Sequence, residues 1–563
     1  MPQPPPGPPT VPDPDAGPDP GPDPAVLIVG AGPTGLTAAN LLGSLGVPVL
    51  LIERNPTTSD DAKAISLDDE SLRTLQSAGV DQAIYPIIVP GTGTRYFDRN
   101  GRPLVHARGA EVLRFGHPFK NPFAQPDFER VLLDELRRWP SVQVRFGIEL
   151  TGLSQEVDRV GVRVRQGATD GELERLDVGW VLGCDGGRSA VRDLCGVAMR
   201  GSSFPDVWLV VDTLADPHDQ RYGMHHGDPA RPHVIVPGRG GRCRYEFRLR
   251  DGECEPGTTP SLDLIRELLE PYREITADQV ERAVAYRFHA LLADRMRVGR
   301  CFLLGDAAHM MPPFAGQGLN SGIRDAANLS WKLADVISGT ASEALLDTYD
   351  TERRPLAQAV IDLSVRLGRI VMTTDRGRAW ARDQAVRAAM RTRRGRRYLS
   401  EMRFRPPTRL TAGAVVTLPH GPQRLVGTLL PQPRVLHGDH HTIQRLDDVL
   451  GQRWSLLGID LPDAVWTQAD QALLPAGTQV DVALDDRAPR PRHGRTAIAD
   501  LDRRLEAALY GLSGHFVLVR PDRIVAAVFR PADAEQVGEH LRRFRLSGHI
   551  ATPAQPRGVT AVG

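Results

Sequence analysis

Ala25-Val-Leu-Ile-Val29-Gly30-Ala31-Gly32-Pro33-Thr34-Gly35 is the stretch that decides the fold. Its first five residues are apolar and read as a buried strand, and three glycines follow at G-x-G-x-x-G spacing. Gly30 permits a tight turn, Gly32 lets backbone approach a pyrophosphate, and Gly35 lets a helix pack closely on the strand. Leu36 to Leu45 reads as that helix, and the chain enters it through Pro33, which has no N–H, with the N–H groups of Thr34 and Gly35 facing the phosphates. A second strand, Val49 to Ile52, ends at Glu53, 18 residues beyond Gly35, where a carboxylate grips ribose hydroxyls. Strand, turn, helix and acid in this order specify a Rossmann-like dinucleotide site. Leu36 stands where a P-loop requires lysine, which disfavours ATP. Gly238-Arg-Gly240-Gly241 lacks the last glycine spacing of a second fingerprint, so one tightly held dinucleotide is expected.

No charge interrupts Ala25 to Ile52, yet the run divides into strand, turn, helix and strand, the pattern of fully buried parallel strands rather than of a membrane span. Lys+Arg and Asp+Glu both number 69, so no global field draws nucleic acid or an anionic membrane. The arginine run at 391, 393, 394, 396 and 397 reads as a solvated helix face. Five cysteines, at 184, 195, 243, 254 and 301, form neither a C-x-x-C pair nor a zinc spacing, which suits a reducing cytoplasm and no metal. Residues 1–24 are half proline and carry Asp13, Asp15, Asp19 and Asp23, the composition of an extended tail and not of a signal peptide.

Two later segments repeat the logic of an apolar strand closed by a glycine/aspartate turn. In Trp180-Val-Leu-Gly183-Cys-Asp185-Gly-Gly-Arg-Ser189, Asp185 follows a strand end, where it can cap the next helix or meet a ligand. Arg300-Cys-Phe-Leu-Leu-Gly305-Asp306-Ala-Ala-His309 closes the same way and runs through Pro312, Pro313, Gly316 and Gly318 into a helix with a C-cap at Gly339. The N-terminal end of that helix aims positive charge at whatever lies beside 313–320.

These segments resemble the class A, single-component FAD-dependent aromatic hydroxylases, whose prototype is para-hydroxybenzoate hydroxylase, and most of all the 3-(3-hydroxyphenyl)propionate hydroxylase group. The likeness covers roughly 25–355 and is most specific in GDAAHMMPPFAGQGLNSGIRDAANLSW, Gly305 to Trp331. Asp68-Asp-Glu-Ser-Leu-Arg73, Gln125-Pro-Asp-Phe-Glu-Arg130 and Tyr286-Arg-Phe-His-Ala290 support it. By position, the resemblance implies that Glu53 holds the adenosine ribose and that Arg54 lies near the pyrophosphate. Gln125 contacts FAD, Asp306 bonds the ribityl chain, and backbone at Gly318, Leu319 and Asn320 faces the flavin, whose environment Pro312, Pro313 and Gly318 shape. Asp185 serves FAD and the transient NADPH or NADH. Lys63 stands where such families commonly carry arginine; it keeps the charge and loses the bidentate fork. His309 is a usual motif member, which is no evidence of proton transfer.

The implied chemistry is reduction of FAD by NAD(P)H, addition of O2 at flavin C4a, and delivery of OH from the hydroperoxide to a phenolic ring. The substrate is a small arylpropionate-like phenol or an aromatic polyketide. Tyr245, Phe247, Tyr286, His289 and Pro313 are the candidates for lining its pocket. Epoxidation or oxidative rearrangement on the same fold is one alternative, and a non-catalytic flavin-binding scaffold is another. The expected architecture is α/β. A Rossmann-like FAD-binding domain occupies 25–203, with a substrate-domain excursion near 85–120, and resumes at 285–360. A mixed β-sheet substrate domain fills 204–284, a helical connector 361–409, and a thioredoxin-like C-terminal domain without cysteines 410–563. A homodimer is possible on this reading, without nucleic-acid or membrane partners.

Overall fold

The computed structural model describes residues 24–544 apart from 61–62, 109–112, 114, 168–170, 407, 439–440, 474–476 and 484–493. The proline-rich stretch 1–23 and the residues after 544 lie outside the described residues.

The uncharged run folds as the strand Val26–Val29, the helix Pro33–Ser44 and the strand Val49–Glu53. Val26–Val29 is central in a six-stranded sheet, parallel to Val49–Glu53 on one side and to Trp180–Gly183 on the other. Val142–Phe146 and Cys301–Leu303 extend the two flanks, again in parallel. Strand order therefore reverses at Val26–Val29, and a crevice opens at the carboxyl ends there, the usual ligand position of an open α/β sheet. Both faces are covered, and Leu27, Ile28, Leu51, Leu182, Phe302 and Ile323 share one apolar cluster. The Pro33–Ser44 helix lies against Gly318–Ile337 at close quarters: a Cβ on Gly322 would come within 2.3 Å of Thr34 Oγ1.

A second sheet of eight strands stands over this crevice. Its long members are Met199–Thr213 and Val280–Ala293; Gly223–His226, His233–Pro237 and Cys243–Arg248 lie beside them, and Thr94–Phe97 and Pro103–Ala107 complete one edge. Alternate side chains divide between its faces. Leu209, Val211, Ile235, Tyr245 and Phe247 pack under the amphipathic helix Leu262–Leu269. Trp208, Val234, Val236 and Phe288 point the other way and meet Phe314.

The helices Thr348–Val371, Arg376–Arg391 and Arg393–Ser400 follow, and the arginines of the 391–397 run are exposed. The C-terminal part is a seven-stranded mixed sheet buried on both faces, with Leu456, Phe516 and Leu518 in one cluster and Leu457, Val517 and Val519 in another. No helix among the described residues is long and apolar enough to cross a membrane.

Buried ion pairs join this sheet to the first one. Arg73 Nε and Nη2 donate to Asp447 at 2.6 and 2.7 Å, with both side chains 3% exposed. Glu352 accepts from Arg520 Nη1 at 2.8 Å and from Lys332 Nζ at 2.8 Å, all three side chains having no solvent exposure. Truncating Glu352 would strand the buried Lys332 ammonium and leave Arg520 with Asp522 alone, so Glu352→Leu should destabilise the protein by about 3–5 kcal/mol. Arg130→Ala removes a pair with Asp60 whose members are 55% and 83% exposed, and should change stability by no more than ~0.5 kcal/mol. Thermal unfolding of the two variants side by side checks both expectations.

Candidate active site

The three glycines divide their tasks by what surrounds them. Gly30 has φ +104°, and a Cβ there would meet the Cys184 carbonyl oxygen at 2.6 Å. A Cβ on Gly35 would lie 2.0 Å from the Gly30 carbonyl oxygen. These two glycines are required by protein packing. Gly32 differs: its Cβ would meet no protein atom within 4 Å. It faces open space at the start of the Pro33–Ser44 helix, whose first turn has no side-chain cap. Uncapped N–H groups beside an open glycine face form a cradle for an anion. Glu53 Oε2 accepts the Ala31 N–H at 2.9 Å, and Oε1 accepts the Asn55 N–H at 2.9 Å, so its carboxylate is pinned at the rim of this turn. Arg54 is exposed beyond it.

Gln125, Lys63 and Asp306 meet on the next side of the crevice. Gln125 Oε1 accepts the N–H groups of Lys63 and Ala64 at 3.0 and 2.7 Å, and its Nε2 donates to Glu129 at 2.7 Å. Its side chain shapes the loop that carries Lys63. Asp306 is reached by solvent, yet it sits deep in the protein. Burial raises its carboxyl above the ordinary value, against the pull of Lys63 and His309. A group that is both wet and enclosed lines a concave cleft. Asp185 is fastened: Ser189 Oγ and the Val191 N–H both donate to it, so it caps the helix Ala190–Leu194. Burial raises the Asp185 carboxyl as well, with the donors opposing.

The Gly305 turn is held from below by Asp325. This carboxylate accepts the Gly305 N–H at 3.0 Å, His309 Nε2 at 2.7 Å and Arg353 Nε at 2.7 Å. Burial pushes Asp325 up, but His309 and Arg353 prevail and hold it below the usual carboxylate range. His309 is thus a buried structural partner. Pro312 is buried, while Pro313 is half-buried and opens the turn Pro313–Ala315, leading through Gly316 to the helix Gly318–Ile337. The Gln317 side chain does not cap that helix, and a Cβ on Gly318 would touch only Met311, at 3.8 Å. Asn320 Oδ1 accepts the Asp68 N–H at 3.0 Å and Ser71 Oγ at 2.7 Å; its Nδ2 donates to the carbonyls of Ser66 and Gly316. Its side chain is fully engaged, which leaves backbone at Gly318, half-buried Leu319 and Asn320 for a ring.

The substrate side requires a correction. Tyr245 and Phe247 were expected in the pocket, but they belong to the cluster beneath Leu262–Leu269 on the far face of the sheet. Tyr245 Oη donates to Asp216 at 3.0 Å. His289 also leaves the group, since it alternates with Phe288 and Ala290 and pairs with Ser203 Oγ at 2.8 Å. Tyr286 remains on the crevice side, its ring centroid 5.1 Å from that of Phe288. The residues missed are Trp208, Phe288 and Phe314, whose rings contact one another at 5.4–5.6 Å. Arg244 was missed too; it forks onto Asp212 at 2.6 and 2.8 Å and donates to the Lys63 carbonyl at 2.9 Å, tying sheet to loop. Cys-Arg-Tyr-Glu-Phe carried the signal: the aromatics at 245 and 247 share a parity, and an apolar helix follows that must cover one face.

The residues present fit FAD. Gly32 and the uncapped helix suit its pyrophosphate, Glu53 its ribose, and Asp306 its ribityl hydroxyls. The open Gly318 face, with helix N–H groups behind it, suits the carbonyl edge of its ring. Residues 23–364 match the FAD binding domain family, and residues 427–544 match the HcaD C-terminal domain family. A 3-(3-hydroxy-phenyl)propionate/3-hydroxycinnamic acid hydroxylase of Mycolicibacterium gilvum is 39% identical over 525 residues, 92% of this chain and 91% of the relative. The 3-(3-hydroxy-phenyl)propionate/3-hydroxycinnamic acid hydroxylase 2 of Burkholderia vietnamiensis is 37% identical over 513 residues, 89% of this chain and 93% of the relative. Among solved structures, the flavin-dependent monooxygenase PieE, in complex with FAD and substrate, has a TM-score of 0.77 at 22% identity, covering 93% of this chain and 99% of its own. That likeness is one of fold.

Gly32 and Gly35 should respond differently to the same substitution. Gly32→Val should fold with near-normal thermal stability yet retain little FAD, because the added side chain occupies the cradle and clashes with no protein atom. Gly35→Val should unfold at lower temperature even when FAD is in excess. Flavin absorbance per protein, together with melting temperature, separates the two outcomes.

Proposed function

Since the chain belongs to the FAD binding domain family, as a relative of the 3-(3-hydroxy-phenyl)propionate hydroxylases, we propose that it is the NAD(P)H- and O2-dependent hydroxylase of a phenolic arylpropionate. It is a flavoprotein monooxygenase with FAD as cofactor. Bound FAD supplies the redox chemistry, accepting a hydride from nicotinamide and enabling transfer of one oxygen atom from O2 to an electron-rich ring.

The chain's own residues bind, orient and keep water out. Gly32 with the Pro33–Ser44 N-terminus receives the pyrophosphate, and Glu53 the adenosine ribose. Lys63 brings positive charge to the Asp306 side of the crevice, and the Gly318–Ile337 N-terminus stabilises negative charge beside it. The observation that carries the reading is the aromatic wall. Phe314, one residue beyond Pro313, packs on Trp208 and Phe288 of the overlying sheet and so walls off the side of the crevice next to the ring. A reactive oxygen donor survives only where water is excluded. A cytoplasmic setting belongs to the same proposal, supported by the free thiols of Cys184, Cys243 and Cys301.

Purified yellow enzyme should oxidise NADPH or NADH slowly alone and much faster with 3-(3-hydroxyphenyl)propionate, forming a product that carries one oxygen atom from labelled O2. Oxidation indifferent to any phenol, with no oxygenated product, would sink the proposal. Phe314→Ala should admit water and divert reducing equivalents into hydrogen peroxide. The ratio of peroxide to NAD(P)H consumed should rise several-fold, and a peroxide assay measures it directly.

A further inference from the structure

Three polar side chains on the crevice side of the sheet take no part in the interactions described above: Lys120, His225 and Glu246. His225 and Glu246 are only 6% and 7% exposed. Neither side chain has a hydrogen-bond or ion-pair partner among the described residues. Strand pairing aligns His225 with Val234 and Val234 with Glu246, so the two lie in one row on the face that Val234 shares with Trp208 and Phe288. Two strand spacings put their backbones ~10 Å apart. Glu246 is two residues beyond Arg244, on the strand tied to the Lys63 loop.

Lys120 reaches the same face from outside the sheet. Its Nζ donates to Thr94 Oγ1 at 2.7 Å, two residues before Tyr96, which pairs with His225. It also lies 3.8 Å from where a Cβ on Gly316 would stand, next to the turn that leads into the Gly318–Ile337 helix. The backbone at Lys120 has φ +57°, a region that side-chain-bearing residues seldom adopt, and packing imposes it: a Cβ on Gly91 would meet the Lys120 carbonyl oxygen at 1.9 Å. The ammonium uses one of its three donors on Thr94 and has no salt bridge among the described residues. Burial and the nearby Arg405 pull it down to about 7, against Asp68 and Glu246. An arriving anion would satisfy its remaining donors.

We propose that this row reads the two ends of the substrate, with Glu246 accepting the hydrogen bond of the phenolic hydroxyl and Lys120, beside His225, binding the acid group of the side chain. The assignment rests on the hydroxylase reading above. A carboxylate suits a hydroxyl donor and repels an acid, and an ammonium does the reverse. A phenol ring carrying a three-carbon acid spans the gap, which fixes which ring edge is presented for oxygen transfer.

Binding to the FAD-loaded enzyme is followed by the change in flavin absorbance, using 3-(3-hydroxyphenyl)propionate, its primary amide, and 3-phenylpropionate as probes. Lys120→Met should weaken the acid about 10–100-fold, as expected for a lost charge-assisted hydrogen bond, and the amide by less than about 3-fold; Lys120→Arg should restore most of the acid's affinity. Glu246→Leu should abolish the preference for the hydroxylated acid over 3-phenylpropionate, and Glu246→Met serves if the leucine variant does not hold flavin. Equal losses for acid and amide in Lys120→Met, or a retained hydroxyl preference in both Glu246 variants, would overturn the assignment. Wild-type enzyme that hydroxylates phenols but binds the acid no better than the amide overturns it and leaves the hydroxylase reading standing; wild-type enzyme that converts none of them overturns both.

Discussion

Asp325 has no solvent exposure, and its carboxylate gathers the Gly305 amide, the His309 imidazole and the Arg353 guanidinium. A buried anion of this kind is tolerable only while its partners are in place, because an unpaired charge in the interior is strongly destabilising. The four groups come from a strand end, a turn and two helices. Their convergence fixes the Gly305 turn, and with it Asp306, relative to the N-terminus of the Gly318–Ile337 helix. The close approach of that helix to Pro33–Ser44, made through Thr34, Gly305 and Gly322, then sets the width of the crevice between the two helix N-termini. The placement of the Gly305 turn against the Gly318–Ile337 helix follows from this one buried assembly.

The overlying sheet answers to a different constraint, the two-residue alternation of its strands. One face must cover Leu262–Leu269, and it uses Tyr245, Phe247 and Ile235 to do so. The other carries Trp208, Phe288, Arg244, Glu246 and His225, all buried. Arg244 couples this face to the cofactor loop through the Lys63 carbonyl, so sheet and loop are positioned together. Aromatic packing against Phe314 completes the coupling from the other side.

The C-terminal sheet supplies no side chain to the crevice residues described, but it grips the body that holds them. Asp447 neutralises Arg73, on the helix that Asp68 caps, and Asp68 is bonded in turn to Asn320 at the start of the Gly318–Ile337 helix. Arg520 shares Glu352 with Lys332 of that same helix. Such buried pairs contribute less to net stability than to fixing one arrangement of the parts.

The turns proposed to hold the cofactor were legible in the sequence because their signals are local. A glycine at the right spacing after an apolar run permits one kind of turn, and an acid at the next strand end falls at its rim; Gly30, Gly32, Gly35, Glu53 and Asp306 depend on neighbours a few residues away or on one βαβ unit. His309 and the Asp68–Arg73 phrase stood out in the sequence without their reasons, since their partners Asp325, Asp447 and Asn320 are brought to them only by the fold. Tyr245, Phe247 and His289 were misplaced because a strand pattern identifies two faces but does not say which one the helix will cover. Lys120 and Glu246 gave no signal at all, being ordinary charged residues in an ordinary stretch. Local stereochemistry determined that this chain builds a glycine turn and helix start suited to a dinucleotide; only long-range packing decided which face of the overlying sheet its covering helix takes and which face meets Phe314.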